Sequence, residues 1–288
     1  MLQSLADTIE IAPGVAMPRL GLGTYKADAG ADVEREVAYG LSLGYRLIDT
    51  AALYNNEVSV GRKLRESGVP REDVFITTKL WNSDQGFEPA LAAFDRSVAK
   101  LGLDYLDLYL VHWPYPKYMS ETWRAMEQLL ASGRTRAIGV CNFLPHHLDD
   151  LAQTATVMPA VDQFEFHPRL QQPELQAACR QRGITVQAWA PLMRGKVNDI
   201  PLLVAIADEH GKTPAQVSLR WILQLGHTTI PKSVHEERIA QNADIYDFEL
   251  SADEMAAIDA LDSGHRMGPS PDTFAAFGAI PGMIRPKR

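Results

Sequence analysis

Three ionisable residues close three successive apolar runs in this 288-residue chain: Asp49 ends the run 46–49, Lys79 follows 74–78 and His112 follows 106–111. Burying any of them alone would be costly, so each needs the others as partners. A tyrosine follows the first, in the segment Asp49-Thr50-Ala51-Ala52-Leu53-Tyr54-Asn55-Asn56-Glu57. With a proton donor beside it, the trio can support general-acid catalysis coupled to an external nucleophile or hydride. Tyr54 is the candidate donor. A free phenol has a pKa of about 10, too high for a good acid near neutrality. A buried Lys79 ammonium would favour the phenolate and lower that value, while Asp49 would keep Lys79 charged. His112 could hydrogen-bond a carbonyl oxygen and orient it toward the phenol.

These residues can meet only if their strands lie side by side. Apolar, β-branched runs recur at 20–23, 46–49, 74–78, 106–111, 137–140, 161–164, 185–188 and 228–230. Most are followed by a turn residue and an amphipathic stretch, and most starts are roughly 25–30 residues apart, one β-α unit each. Eight such units predict an α/β fold, a closed (β/α)8 TIM barrel of one domain over 1–288. Function in such barrels gathers at the C-terminal rim, where strands end. There the sixth run ends near Gln163, the seventh at Trp189, and the eighth just before Lys232.

The helices are legible too. The segment 32–43 places Val33, Val37, Ala38 and Leu41 on one face before Gly44, and 88–101 repeats the pattern through Leu91, Phe94, Val98 and Leu101 before Gly102. Thr213-Pro214 reads as an N-cap and first turn. Helices at 201–210 and 252–261 are extra to the eight-fold repeat. Residues 8–15 predict a β-hairpin plugging the barrel floor. The Gly- and Pro-rich tail from Gly264, with Phe274, Phe277 and Met283, predicts an irregular C-terminal loop over the barrel mouth.

Apolar residues make up 46% and charged residues 22%, which fits a globular chain with a sizeable core. A net charge of −8 without a basic block argues against nucleic acid or an anionic membrane as partner. The opening Met1-Leu2-Gln3-Ser4-Leu5-Ala6-Asp7 has no basic leader and no long apolar run, so no signal peptide is expected. Cys141 and Cys179, the only cysteines, are not in a C-x-x-C spacing, which points to a reducing cytoplasm. Gly21-x-Gly23 lacks the third glycine of a dinucleotide fingerprint, Lys26 standing in its place, and no Rossmann fold is expected. Lys79 could instead be a Schiff-base nucleophile, but an ion pair with Asp49 would hold it protonated.

The chain resembles the aldo-keto reductase family over nearly its whole length. The resemblance lies in Gly21-Leu22-Gly23-Thr24-Tyr25, Asp49-Thr50-Ala51 with Tyr54 and Asn56-Glu57, Thr78-Lys79-Leu80-Trp81 and Val111-His112-Trp113-Pro114. It continues in Gly139-Val140-Cys141-Asn142-Phe143, Gln163, Ala188-Trp189-Ala190-Pro191-Leu192 and Ile230-Pro231-Lys232-Ser233. Within the family the chain is most similar to bacterial reductases of small dicarbonyls and keto-sugars. The resemblance implies a monomer that reduces a small carbonyl substrate with NADPH, with no metal. It makes Tyr54 the general acid, supported by Asp49, Lys79 and His112. Trp189 would stack on the nicotinamide, with Asn142 and Gln163 on its carboxamide and Cys141 where many members have serine. Pro191, Leu192 and Asp49 join the cofactor site, and Gly23 and Thr24 approach it through backbone. Lys232, Ser233, Val234 and Arg238 would meet the adenosine 2′-phosphate and Asn242 the adenine; Glu236 and Glu237 would oppose the phosphate if turned inward. Tyr25, Trp81 and Trp113 would line the carbonyl pocket with His112. The superfamily also includes nicotinamide-sensing channel subunits that keep the same four residues.

Overall fold

A hairpin of β1 (Thr8–Ala12) and β2 (Val15–Pro18) precedes eight parallel strands of one sheet, in a computed structural model that describes residues 2–277. The strands are β3 (Leu22–Gly23), β4 (Leu47–Asp49), β5 (Phe75–Leu80), β6 (Leu106–Val111), β7 (Thr135–Cys141), β8 (Val161–Glu165), β9 (Thr185–Trp189) and β10 (Thr228–Thr229). Each pairs with its sequence neighbours, and the two edges meet. Thr229 N donates to Arg19 O and Gly21 N to Thr229 O, both at 2.9 Å, while Gly23 N donates to Pro231 O at 3.1 Å. A Cβ on Gly23 would come within 2.7 Å of Ile230 O, so this seam closes only on a glycine. The predicted (β/α)8 barrel is what forms.

Alternation along the strands fills the interior in layers. Leu47, Phe75, Leu108, Leu110, Ala137, Val161 and Ile230 pack with Ile11, Val15 and Met17 of the hairpin, which seals the floor as expected. Two residues further along, the inward positions turn polar: Asp49 after Leu47, Thr77 and Lys79 after Phe75, His112 after Leu110, Gln163 after Val161. A dry apolar base thus supports a polar layer at the rim.

Helices α1 (Ala31–Leu43), α2 (Glu57–Glu66), α3 (Phe87–Leu101), α4 (Met119–Ala131), α5 (Pro145–Ala152) and α6 (Pro173–Gln181) follow β3 to β8 in turn. α7 (Pro201–His210) is extra, α8 (Pro214–Gln224) and α9 (Glu236–Ala243) follow β9 and β10, and α10 (Ala252–Asp259) is the second extra helix. Thr213 caps α8 in a reciprocal box with Gln216, and Ser251 caps α10 with Glu254, contacts worth about 1 kcal/mol each. Gly44 and Gly102 end α1 and α3 in the left-handed conformation. The outer apolar faces of the strands bury against these helices, with Trp123, Trp221, Tyr45 and Phe94 among the largest wholly buried side chains.

Two expectations need correcting. β5 runs on to Leu80, so Lys79 lies inside a strand rather than after one, because its charge finds partners within the barrel. The tail is not wholly irregular: α11 (Pro271–Phe277) forms, with proline in its first turn and Phe274 N donating to Ser270 O at 2.9 Å. Met283 lies outside the described residues.

Candidate active site

Parallel register brings the three strand-end residues to one level. Asp49 lies opposite Thr77, Lys79 opposite Leu110, and His112 N donates to Leu80 O at 3.1 Å. Lys79 is wholly buried, and its three protons have three acceptors: Asp49 Oδ1 at 2.5 Å, Thr50 O at 2.9 Å and Tyr54 Oη at 3.3 Å. An amine so used is an ammonium, which leaves no lone pair for a Schiff base. Gln163 Nε2 donates to Asp49 Oδ2 at 2.7 Å. Both oxygens of Asp49 therefore accept, and the site holds a carboxylate even though burial pushes its pKa upward against the pull of Lys79.

Tyr54 comes from a single 3-10 turn, Ala52–Tyr54, that folds inward from the loop after β4. Asn56 fixes that loop by accepting from Thr50 Oγ1 at 2.7 Å and donating to Thr24 O at 3.0 Å. The Tyr54 ring packs 5.0 Å from Tyr25 and 5.7 Å, edge-on, from His112. The expected lowering of its pKa does not occur. Burial raises it well above 10, helped by the charge of Asp49, so the phenol keeps its proton at neutral pH. Burial, then Lys79, pushes His112 well below 6.5, leaving a neutral imidazole. The result is a protonated phenol with an ammonium behind it and a neutral hydrogen-bonding ring beside it.

The other sequence-chosen residues surround this group. Trp189 is half-buried at the end of β9, and its Nε1 donates to Asn142 Oδ1 at 2.8 Å. Asn142 Nδ2 donates to His112 O at 3.0 Å and to Cys141 Sγ at 3.1 Å. The Cys141 thiol also meets Gln163 Oε1 at 3.7 Å. Thr24 Oγ1 donates to Asp49 O at 3.0 Å, and Pro191 O accepts from Ser218 Oγ at 2.9 Å, so both stiffen the rim. Leu192 and Val234 are half-buried against the core. Trp81 lies 5.3 Å from His112, and Trp113 is buried beside it. Sequence reasoning passed over Gln187, whose Oε1 accepts from Gln163 Nε2 at 2.8 Å. A polar residue in the middle of Thr185–Trp189 was the available signal. Glu57, quoted among the family stretches but given no role there, accepts from Thr78 Oγ1 at 2.8 Å beneath the loop.

Past β10, Ser233 and Asn242 are buried, Arg238 is exposed, and Lys232 Nζ reaches Lys26 O at 3.2 Å. Among the described residues neither Lys232 nor Arg238 forms a salt bridge, so both charges stay available to an anion. Glu236 and Glu237 are exposed. The residue that does bear on Lys232 is Glu36 of α1, wholly buried. Burial pushes its pKa to about 8 against the attraction of Lys232 and the pull of the Ser233 N–H. Folded protein therefore holds a proton that the unfolded chain releases near 4.5, and stability falls as pH rises between those values. Glu36→Gln should remove that slope. Its stability relative to wild type should grow by about 1.4 kcal/mol per pH unit across the window, read from denaturant unfolding at pH 5 and pH 8. A constant difference would show that Glu36 is not protonated in the fold.

The sequence profile of the Aldo/keto reductase family matches residues 19–263. A glyoxal reductase of Bacillus subtilis is 53% identical over 272 residues, 94% of this chain and 99% of its own. The chain belongs to the aldo/keto reductase family. A morphine 6-dehydrogenase of Pseudomonas putida is 48% identical, covering 93% of this chain and 97% of its own. Among solved structures, an aldo-keto reductase of Bombyx mori in complex with NADP superposes with a TM-score of 0.86 at 36% identity, over 94% and 97% of the two chains. The barrel is thus that of an aldo/keto reductase. Among the described residues no helix is long and apolar enough to cross a membrane.

Proposed function

We propose that this protein reduces aldehydes and ketones to alcohols with NADPH, Tyr54 giving the proton. The observation that carries this reading is the protonated Tyr54 phenol 3.3 Å from a wholly buried Lys79 ammonium, beside neutral His112. What bound NADPH supplies is a hydride for the carbonyl carbon. His112 donates a hydrogen bond to the carbonyl oxygen and turns it toward Tyr54. Tyr54 Oη then gives its proton to that oxygen as negative charge builds there. Lys79, held charged by Asp49, stabilises the developing phenolate, and Gln163 keeps Asp49 in place.

The residues present fit the cofactor. Trp189 offers a half-exposed indole pinned by its own N–H, a platform for a flat ring. Gln163 Oε1 and the remaining lone pair of Asn142 Oδ1 suit a carboxamide, with the Cys141 thiol a weak third partner. The unpaired charges of Lys232 and Arg238, with Ser233 and Val234, suit a 2′-phosphate; Asn242 suits the adenine, and Gly23, Thr24, Pro191 and Leu192 frame the groove. Glu36, protonated at pH 7, does not compete. Tyr25, Trp81, Trp113 and His112 form an aromatic pocket for small dicarbonyls, keto-sugars or aromatic aldehydes, and the glyoxal reductase likeness favours the first. We take the protein to act as a cytoplasmic monomer; its two buried, unpaired cysteines suit a reducing compartment.

A carbonyl panel followed by loss of NADPH absorbance, repeated with NADH, tests the reading. Turnover should be faster with NADPH. Lys232→Ala and Arg238→Ala should each raise the KM for NADPH roughly tenfold and leave that for NADH unchanged. No NADPH oxidation with any carbonyl would overturn the function. Size exclusion checks the monomer.

A further inference from the structure

After α10 the chain returns across the barrel mouth, where His265 N donates to Arg169 O at 3.0 Å and Arg266 Nη2 to Gln172 Oε1 at 2.7 Å, and beyond these it is fastened at two points. At the first, Glu165 ends β8 with its side chain wholly buried. Its Oε1 accepts the Met267 N–H, its Oε2 accepts the Gly268 N–H at 3.0 Å, and His167 Nε2 lies 3.1 Å from Oε1. Burial alone would raise this carboxyl, but those hydrogen bonds hold it below the usual range, so it is an anion gripping backbone.

At the second point, Asp272 Oδ1 on α11 lies 3.0 Å from His146 Nε2 and 3.6 Å from His147 Nε2, both on α5. Three ligand-type atoms within 4.8 Å suggest a cation site. The tautomer argues otherwise. His147 Nδ1 accepts the Leu144 N–H at 3.1 Å, and burial, then His146, lowers its pKa to about 4. The one ring proton is then on Nε2, facing Asp272, and no lone pair remains for a metal. The cluster is a latch.

Between the two fastenings the segment touches both halves of the site. A Cβ on Gly268 would come within 2.6 Å of Trp189 Cη2, so this backbone lies directly against the indole. Phe274 packs 4.1 Å from Trp113 and 6.1 Å from Trp81. We infer that Glu165 and Asp272 are positioning residues that clamp 267–274 as a strap, Glu165 seating Trp189 through Gly268 and Asp272 holding Phe274 against the carbonyl pocket. This rests on the proposed function, which takes Trp189 as cofactor platform and Trp81 and Trp113 as pocket walls.

Hydrogen exchange and steady-state kinetics on Glu165→Gln, Asp272→Ala and Asp272→Asn test it. Glu165→Gln turns an acceptor into a donor facing an N–H. It should speed exchange at Met267 and Gly268 and raise the NADPH dissociation constant about fivefold. Asp272→Ala should speed exchange at Phe274 and raise the KM for an aromatic aldehyde by a similar factor, with NADPH binding unmoved. Asp272→Asn, which keeps an acceptor for the histidines, should restore both. An active wild type with unchanged exchange and constants in Glu165→Gln and Asp272→Ala would overturn the strap, as would loss of protection on adding EDTA, which would put a metal in place of the latch. A wild type that reduces no carbonyl would instead remove the function, while exchange would still report on the strap.

Discussion

Tyr54→Phe should lower carbonyl turnover by roughly a hundred- to ten-thousandfold while leaving NADPH binding within about twofold. The substitution deletes one atom, the oxygen that Lys79 Nζ reaches at 3.3 Å. The ring that packs on Tyr25 and His112 stays, so the pocket keeps its shape. The pH dependence has a definite sign. An acid works only while protonated, so its activity is present below its pKa and lost above it. Burial and Asp49 hold Tyr54 well above 10, and burial and Lys79 hold His112 neutral well below 6.5. Neither group titrates near neutrality, and kcat should be flat from about pH 7 to 9 in respect of both. Turnover from NADPH absorbance and binding from fluorescence titration separate the two effects. Retained turnover in Tyr54→Phe would assign the proton to another donor.

How much of this was legible follows from what one chain can display. Asp49, Lys79 and His112 announce themselves because each interrupts the apolar pattern where an apolar run gives out, and the barrel rule says where the ends of such runs go. Tyr54 lies in a loop, and loop direction is not written in local periodicity; its place after Asp49 makes it a candidate donor, and the family resemblance is what turns it into the site. Its pKa was expected to move the wrong way because adjacency of Lys79 can be inferred from register, whereas the depth of burial that outweighs it cannot. The bond from Gln163 to Asp49 joins positions 114 residues apart. Both were singled out, yet nothing local paired them.

The tail was the least legible part. Its Gly- and Pro-rich composition suggests a loop, but the order in 264–274 comes from Glu165 on β8, from Arg169 and Gln172 just after it, and from the histidines of α5, all far away in sequence. Glu165 follows the apolar run 161–164, and nothing in the sequence around His146-His147 gives that pair a role. Their meaning arises only when the barrel closes and brings the mouth around the returning chain. Glu36 is similar. On α1 it looks like a surface charge, and it becomes a buried acid beside Lys232 and Ser233 of the segment between β10 and α9.

Lys79→Met should destabilise the fold by about 3–5 kcal/mol, and the double variant Asp49→Asn/Lys79→Met should regain much of that loss. In the single variant the Asp49 carboxylate, 1% exposed, keeps the Gln163 amide but loses its counter-charge, an uncompensated anion under the rim. In the double variant no charge is buried, the new amide at position 49 can still accept from Gln163, and the methionine fills the space of the lysine stem. Asp49→Asn alone leaves the ammonium with Thr50 O and Tyr54 Oη, so its loss should be smaller than that of Lys79→Met. Activity should not follow stability, because both variants lacking Lys79 have nothing to receive the developing phenolate. Urea unfolding combined with kcat would therefore place the double variant apart, well folded and inactive. If the double variant were no more stable than Lys79→Met, the ion pair would not be what balances the two charges, and the polar layer as a whole would have to carry them.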